Sequence, residues 1–320
     1  MCATAHRPLV VGVSDAFFTI DGAIVLFGAM ALAVMLVRSR PQGVTIRRGY
    51  RLAFFELRRR VMTPGWIAST TMLAIVLPLS LAIFSAAKRA IPVVEPFRWD
   101  LALEEAGVRL HGGRHAWQWL QPIVGQPALT VALDRYYHVG WSLIVLGALA
   151  LTVVGPVSRY RRRFVTAWVA LTFVCGTVGA VAFSSAGPPY YARVTHRSDP
   201  YAPLRFYLRS VNEQTPLLSV GGRRALWAAY EHRVDAFGFG VSAMPSMHIA
   251  TVTLVACLGW AVAPWVGAVT TAAAGIMLVG SVALLWHYAI DGYAGALLAV
   301  LIWWAAGRLT SDEAAPAALR

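Results

Sequence analysis

The stretch from Ser242 to Val300 reads SAMPSMHIATVTLVACLGWAVAPWVGAVTTAAAGIMLVGSVALLWHYAIDGYAGALLAV and predicts two membrane helices followed by the start of a third. Met244 to Ser246 is typical of a helix start, because proline is favoured at the first helical position, where its missing N–H costs nothing. An apolar run follows, Ala263 to Trp265 reverses the chain, and a second apolar run returns to the starting side. His248 and His287 are therefore expected at the same membrane face.

The composition assigns the chain to a class of protein. Of its 320 residues, 58% are hydrophobic and 13% are charged, and the mean hydropathy is +0.59. Soluble domains have about 25% charged residues, and a spanning helix needs roughly 20 apolar residues in succession. We therefore predict an all-α, polytopic membrane helix bundle of about seven spans, a six-span core plus one, over residues 17–37, 66–87, 137–156, 164–185, 246–263, 266–286 and 288–307.

Arginine-rich connections predict the orientation of the bundle. The connection 38–65 holds eight arginines against one glutamate, and 155–163 holds four arginines and no acid. Short cytoplasmic loops collect Lys and Arg, so both connections are expected in the cytoplasm. The chain then divides into residues 1–65, a retained first span with its basic loop, and a membrane-embedded domain, 66–320, that contains the candidate catalytic residues below.

Two long segments, 88–136 and 186–245, are then expected on the outer face. Loops longer than about 15 residues usually carry structure or function of their own. The first segment mixes tryptophans with charged and apolar residues, which is typical of amphipathic interfacial helices, with 111–113 (His-Gly-Gly) as a turn between two of them. Taken singly, each tryptophan is explained as an interfacial anchor.

The net charge of +13 indicates a membrane surface rather than nucleic acid as the partner. The basic residues concentrate beside the spans, where topology and attraction to anionic headgroups explain them. We expect the lipid bilayer and a membrane lipid substrate as partners, and leave the oligomeric state open. The three cysteines lack disulfide or metal spacing, and no HExxH, P-loop or GxGxxG motif occurs, so no cofactor and no metal are expected. The excess of arginine and alanine over lysine suggests a bacterial inner membrane.

His248 lies in the first turn of the predicted fifth span. The backbone N–H groups of Ser246, Met247 and His248 would be unpaired there, which makes this helix start an anion site. His287 and Asp291 are four residues apart, so on a helix the carboxylate faces the imidazole and orients it. An ionisable group at a membrane interface needs a reason, and catalysis is one.

Three other interpretations of these residues stay open. In the first, His287 and Asp291 are a buried pair that joins two helices, and His248 is an interfacial residue. In the second, the three side chains bind a metal such as zinc, although no HxxxH pair accompanies them. In the third, the protein is a proton-coupled transporter, although such proteins place His and Asp nearer the midplane, on broken helices.

The two histidine motifs resemble those of the type 2 phosphatidic acid phosphatase superfamily. They are PSMH at 245–248 and HYAID at 287–291, at the outer ends of successive spans. Within the superfamily the likeness is to the branch that contains fungal inositol phosphorylceramide synthase, with sphingomyelin synthase a more distant relative. HGGRHAWQWLQP, DRYYHVGW and SSAGPPYY also resemble bacterial members of that branch. The resemblance covers roughly residues 90–307.

The resemblance implies covalent catalysis without a metal. His287 attacks phosphorus and forms a phosphohistidine, with Asp291 orienting it. His248 protonates the departing oxygen and then activates the acceptor, which is water or an alcohol.

The chain also departs from the pattern of the superfamily. Its only lysine is Lys88, no KxxxxxxRP motif is present, and Ser281 stands six residues before His287, where lipid phosphatases carry an arginine. The phosphate is then expected to bind the amides at 246–248 and residues of the second outer segment. The candidate ligands are Ser246, Met247, Arg193, Arg197, Arg205, Arg209, Tyr190 and Tyr191.

The scarcity of cations predicts the reaction type. A weakly cationic site suits a phosphodiester, which has one charge, better than a phosphomonoester. We therefore predict an integral membrane lipid phosphotransferase that moves inositol phosphate or another headgroup. The first alternative is a lipid phosphate phosphatase, of the phosphatidic acid or isoprenyl phosphate type. The second is a non-catalytic transporter or lipid-binding protein.

Overall fold

The protein is described from a computed structural model. The structure describes residues 63–154, 158–233 and 238–311, with isolated residues at 48, 51, 52 and 55. These residues form helices and turns and no strand, which confirms the all-α prediction. The predicted first span and most of the basic connection that follows it lie outside the described residues.

The helices of the described residues follow one another through short turns and loops. In chain order they are α1 (Pro64–Val94), α2 (Asp100–Leu110), α3 (Ala116–Val124), α4 (Pro127–Val153), α5 (Arg159–Ala182), α6 (Tyr191–Thr195), α7 (Ala202–Gln214), α8 (Leu218–Glu231), α9 (Met247–Val262), α10 (Pro264–Ala283) and α11 (Ala289–Ser311). Helices α4 and α5 each contain a π-helical turn, at Tyr136–Gly140 and Val174–Gly179.

Five of these helices, α1, α4, α5, α10 and α11, are long and apolar enough to cross a membrane, and α9 is a shorter apolar helix. They coincide with the six predicted spans that fall on described residues. Helix α1 continues beyond its predicted span to Val94, and helix α4 begins before its predicted span, at Pro127. A helical membrane bundle is therefore confirmed over this part of the chain.

Helix α1 shows how the bundle faces lipid. Large apolar side chains on it are exposed, among them Ile67, Met72, Ile75 and Ile83. In water a continuous surface of this kind would be unfavourable, whereas hydrocarbon accommodates it without cost. The outward apolar face thus fits a bilayer.

Helix α9 lies at the centre of the bundle. It packs against α4, α5, α10 and α11, and its residues Ile249 and Leu254 are almost fully buried. A helix that is apolar around its whole circumference is expected to be surrounded by others. The first turn of α9, which carries His248, is therefore held on several sides.

The short helices gather at the end of the bundle where α9 and α11 begin. His111 contacts the hydroxyl of Tyr293 on α11 at 3.0 Å through Nε2. The predicted turn at 111–113 is confirmed: Gly112 and Gly113 have φ angles of 68° and 83°, which favour glycine. The placement of this end of the bundle on the outer face of a membrane stays a prediction.

Candidate active site

Helix α9 begins at Met247, two residues later than a helix opened by Pro245. Ser246 is its N-cap, so Pro245 precedes the helix instead of opening it. The amide of Ser246 donates to the backbone carbonyl of Asp291 at 2.9 Å and is not free for an anion. The prediction of three free amides is therefore wrong for this one. Met247 and His248 follow at a helix start that no side chain caps.

His287 lies in a turn and not on a helix, which corrects the prediction that it shares a helical face with Asp291. Helix α10 ends at Ala283, and Leu285 adopts a φ of 60°. The amides of Trp286 and His287 both donate to the carbonyl of Ser281, at 2.9 and 3.2 Å. This turn points the imidazole back towards the first turn of α11.

Asp291 is completely buried in the first turn of α11. Its Oδ2 lies 3.4 Å from Nδ1 of His287 and accepts a hydrogen bond from the amide of Tyr288 at 3.0 Å. The contact with the imidazole is long for a hydrogen bond. It still selects Nδ1 as the nitrogen that faces the carboxylate, and Nε2 is left for chemistry.

The structure brings the two histidines of the predicted site together. The ring centroids of His248 and His287 are 6.4 Å apart. The imidazole of His248 stacks on Tyr137, with centroids 4.9 Å apart, and contacts Trp141 at 4.7 Å. These aromatic neighbours restrict the ring of His248 to one orientation.

Both histidines line one cavity of about 450 Å³, which we call the histidine cavity. Met247 and Tyr190, two of the predicted ligands, also line it. Most of its wall is apolar or aromatic, and includes Phe84, Tyr137, Ala186, Leu218, Leu226, Phe239, Val241 and Trp286. Such a wall can accommodate the apolar part of a lipid beside the two imidazoles.

Lys88, near the end of α1, lines the histidine cavity and was not among the predicted ligands. It is partly buried, and among the described residues no carboxylate forms an ion pair with it. An ammonium group without a partner favours an anion nearby. The sequence did contain a signal, since the only lysine of the chain occurs at the end of an apolar span.

A second residue that the sequence did not single out, Asp100, organises the loop beside His287. Its carboxylate is completely buried. It accepts hydrogen bonds from the Ser185 hydroxyl and from the amides of Ala186 and Gly187, at 3.0, 2.8 and 2.7 Å. It also accepts from the hydroxyl of Tyr288 at 2.9 Å. Asp100 thereby ties the SSAG segment to the residue that follows His287.

Gly187 marks the point where three motifs of this chain meet in space: SSAG, SAMPSMH and WHYAID. Its φ is 87°, and a Cβ there would lie 2.9 Å from Cβ of Ala243 and 3.4 Å from the carbonyl oxygen of Trp286. The amide of Ala243 also donates to the carbonyl of Ser185 at 2.9 Å. Only glycine fits this crossing without displacement.

Of the three hydroxyls predicted as phosphate ligands, that of Tyr190 is engaged. Tyr190 donates to the carbonyl of Arg223 at 2.7 Å. Tyr191 is buried and packs against Tyr201, with centroids 5.9 Å apart. The hydroxyl of Ser246 is buried and has no partner among the described residues.

The predicted arginine ligands do not line the histidine cavity. Arg193, Arg205 and Arg209 line a separate cavity of about 300 Å³, together with Arg223 and Arg224. Arg197, the fourth predicted ligand, is exposed and lines neither. We therefore do not place these arginines at the reacting phosphate.

The described residues contain no group of three His, Cys, Asp or Glu side chains arranged as metal ligands. The expectation that the site needs no metal and no cofactor stays a prediction.

Comparison with known protein families gives a match described as the PAP2 superfamily, over residues 105–305. The matched range includes both histidine motifs, whereas Lys88 and Asp100 lie before it. Searches of curated proteins and of solved structures give no significant match. Because the family match covers more than half of the chain and the helices are membrane-type, the protein belongs to the PAP2 superfamily and is a membrane enzyme of the phosphatase and phosphotransferase class.

Proposed function

We propose that the protein is a lipid phosphotransferase that acts through a phosphohistidine on His287. The observation that carries this proposal is one cavity, lined by His248, His287 and Lys88 and otherwise largely apolar. Two imidazoles supply a nucleophile and an acid, and the lysine supplies a charge for phosphate.

In the first displacement, Nε2 of His287 attacks phosphorus and the bond from phosphorus to the departing lipid oxygen breaks. His248 gives its proton to that oxygen. The phosphorylated imidazole keeps its Nδ1 proton and carries a positive charge, which the Asp291 carboxylate at 3.4 Å stabilises.

In the second displacement, His248 takes the proton of the acceptor hydroxyl as its oxygen attacks phosphorus. The phosphorus to nitrogen bond breaks, and His287 returns to its neutral form. An alcohol as acceptor makes a new phosphodiester, and water makes a phosphate that leaves the site.

The charge of the cavity supports a phosphodiester donor. Lys88 is the one lysine or arginine among its lining residues, since the arginines of the second outer segment line another cavity. The amides of Met247 and His248 at the start of α9 add partial positive charge. The one full positive charge of Lys88 matches the single negative charge of a phosphodiester. This match supports headgroup transfer of the inositolphosphotransferase type that the sequence resembles.

The test is an assay of the purified protein in detergent with a phospholipid labelled in its phosphate, in the presence of a chelator of divalent metals. With a lipid alcohol such as a diacylglycerol of different chain length added as acceptor, we expect a new labelled phospholipid and an acid-labile phosphoprotein. His287→Ala should abolish both, and His232→Ala, at an exposed histidine outside the cavity, should change neither. Activity that survives His287→Ala would refute the mechanism.

The same assay separates the alternatives. With labelled phosphatidic acid as the substrate, free labelled phosphate in place of a new lipid would indicate a lipid phosphate phosphatase. Absence of any phosphoprotein or product would favour a transporter or a lipid-binding protein.

We further propose that the site opens to the outer side of a bacterial inner membrane, on the basis of the arginine-rich connections assigned to the cytoplasm. A membrane-impermeant thiol reagent applied to whole cells should label Arg197→Cys and not Arg159→Cys, in a chain whose own three cysteines are replaced. The opposite labelling would reverse the topology.

A further inference from the structure

We propose that the cavity between α7 and α8 is a second anion site that binds a phosphate group. We call it the arginine cavity, and its volume is about 300 Å³. This proposal goes beyond the transfer reaction and does not depend on it.

The first support is the charge on the wall. Five arginines line the cavity against one acidic residue, Glu231; they are Arg193, Arg205, Arg209, Arg223 and Arg224. Like charges so close together repel one another, and a bound anion relieves that repulsion. Phosphate is the anion that guanidinium groups recognise best, because they donate paired hydrogen bonds to its oxygens.

The second support is the distribution of hydrogen-bond and ion-pair partners among these arginines. Arg205 is bound to Asp199 Oδ2 and to the carbonyl of Pro189, both at 2.7 Å, and Arg193 lies 3.3 Å from Glu231. Among the described residues, no hydrogen bond or ion pair neutralises the exposed side chains of Arg209 and Arg224. The side chains of Arg193 and Arg205 are therefore held in place, whereas the guanidinium groups of Arg209 and Arg224 are free to bind a ligand.

The third support is Arg223, which is buried with 8% of its surface exposed. It donates to the carbonyl of Leu284 and lines the cavity, and among the described residues no carboxylate forms an ion pair with it. Burial, together with the nearby Arg205 and Arg224, lowers the pKa of Arg223 to about 10, so it stays charged at neutral pH. A buried charge of this kind is stabilised by an anion within reach.

The arginine cavity is separate from the histidine cavity but adjoins it. Pro189 and Tyr190 line both. The guanidinium carbon of Arg223 also lies 5.8 Å from the ring of Trp286, which lines the histidine cavity. A phosphate bound among the arginines would therefore lie beside the reaction site without occupying it.

The experiment measures binding by titration calorimetry on purified protein that carries Lys88→Met and His287→Ala, so that the histidine cavity neither reacts nor offers its lysine. The two probes are inorganic phosphate and dioctanoyl phosphatidic acid, with dioctanoylglycerol as the uncharged control. The variant Arg209→Gln/Arg224→Gln removes the two free guanidinium groups, which are exposed and form no ion pair among the described residues. Arg197→Gln removes a nearby exposed arginine that lies outside the cavity.

We expect the double variant to bind phosphatidic acid at least about tenfold more weakly, as the loss of two charge-assisted contacts predicts, and Arg197→Gln to bind it normally. If inorganic phosphate binds and competes, the ligand is free phosphate as well as lipid; if only the lipid binds, it is a headgroup. Equal affinity in the double variant, an equal loss in Arg197→Gln, or no binding of either charged probe would overturn the proposal. Failure of lipid transfer in the activity assay would leave this binding result unchanged.

Discussion

The backbone amide of Ser246 donates to the backbone carbonyl of Asp291 at 2.9 Å. Ser246 caps the helix that carries His248, and Asp291 is the carboxylate beside His287. A main-chain hydrogen bond therefore joins the two histidine motifs and constrains the distance between the proposed acid and the proposed nucleophile. Because no side chain takes part in it, nothing in the residue types reveals it.

The contact between the Ser246 and Asp291 segments should be sensitive to a methyl group added at Gly295. A Cβ at Gly295 would lie 2.5 Å from the carbonyl oxygen of Ser246, a backbone atom that cannot rotate away. Gly295→Ala should destabilise the protein by about 1–3 kcal/mol through overpacking and lower turnover by separating the motifs. Thermal unfolding and initial rates in detergent measure both effects.

Gly275→Ala on α10 is the matched control, because a Cβ there would meet nothing within 4 Å. If both alanine variants unfold at the same temperature and turn over alike, the junction does not constrain the site.

His248 is expected to act as the acid in the first displacement. His248→Ala should lower turnover by about 10²–10⁴-fold, the usual contribution of general acid–base catalysis. The loss should be much smaller in the initial burst of 4-nitrophenol from a phosphodiester of 4-nitrophenol, because the burst measures the first displacement alone and this leaving group departs without a proton. A uniform loss with both substrates would argue that His248 only shapes the cavity.

Lys88 is expected to hold the phosphate in the histidine cavity. Lys88→Met should lower kcat/KM by about 10–100-fold, since a hydrogen bond to a charged group contributes about 1.5–3 kcal/mol. Lys88→Arg keeps the charge and should recover part of the loss. If Lys88→Met behaves as the wild type with a labelled phospholipid, the phosphate is bound elsewhere.

Asp100 is expected to act as a positioning residue. Asp100→Asn places an amide N–H₂ opposite donors from the SSAG loop, and a buried donor left without an acceptor costs about 1–3 kcal/mol. We expect a lower unfolding temperature and a lower kcat with a smaller change in KM, because the turn that holds His287 shifts. A purely structural residue would lower the unfolding temperature alone.

Glu105→Gln is the control for Asp100, since Glu105 lies on the same helix, is half exposed and forms an ion pair with Arg109, four residues on. Surface pairs of this kind contribute little, so its stability and kcat should stay near those of the wild type.

The helices and the histidines were predictable because their signals are local. The hydropathy of each span depends on some 20 neighbouring residues, and six predicted spans correspond to helices of the described chain. The turn at Gly112 and Gly113 was predictable for the same reason. The start of α9 and the turn before α11 were misplaced, because the hydrogen bonds that Ser246 and Ser281 make there join distant residues or leave the helical pattern.

By itself, then, the amino-acid sequence determined a helical membrane protein with His248, His287 and Asp291 as candidate catalytic residues. Only the tertiary structure decided which charged residues lie beside the two histidines. It places Lys88, from α1, in the lining of the histidine cavity, and it places Arg193, Arg205 and Arg209 in the lining of the arginine cavity. The physical reason is that helix periodicity and hydropathy are properties of consecutive residues. The neighbours of a phosphate, in contrast, are chosen by packing between helices that are far apart in the chain.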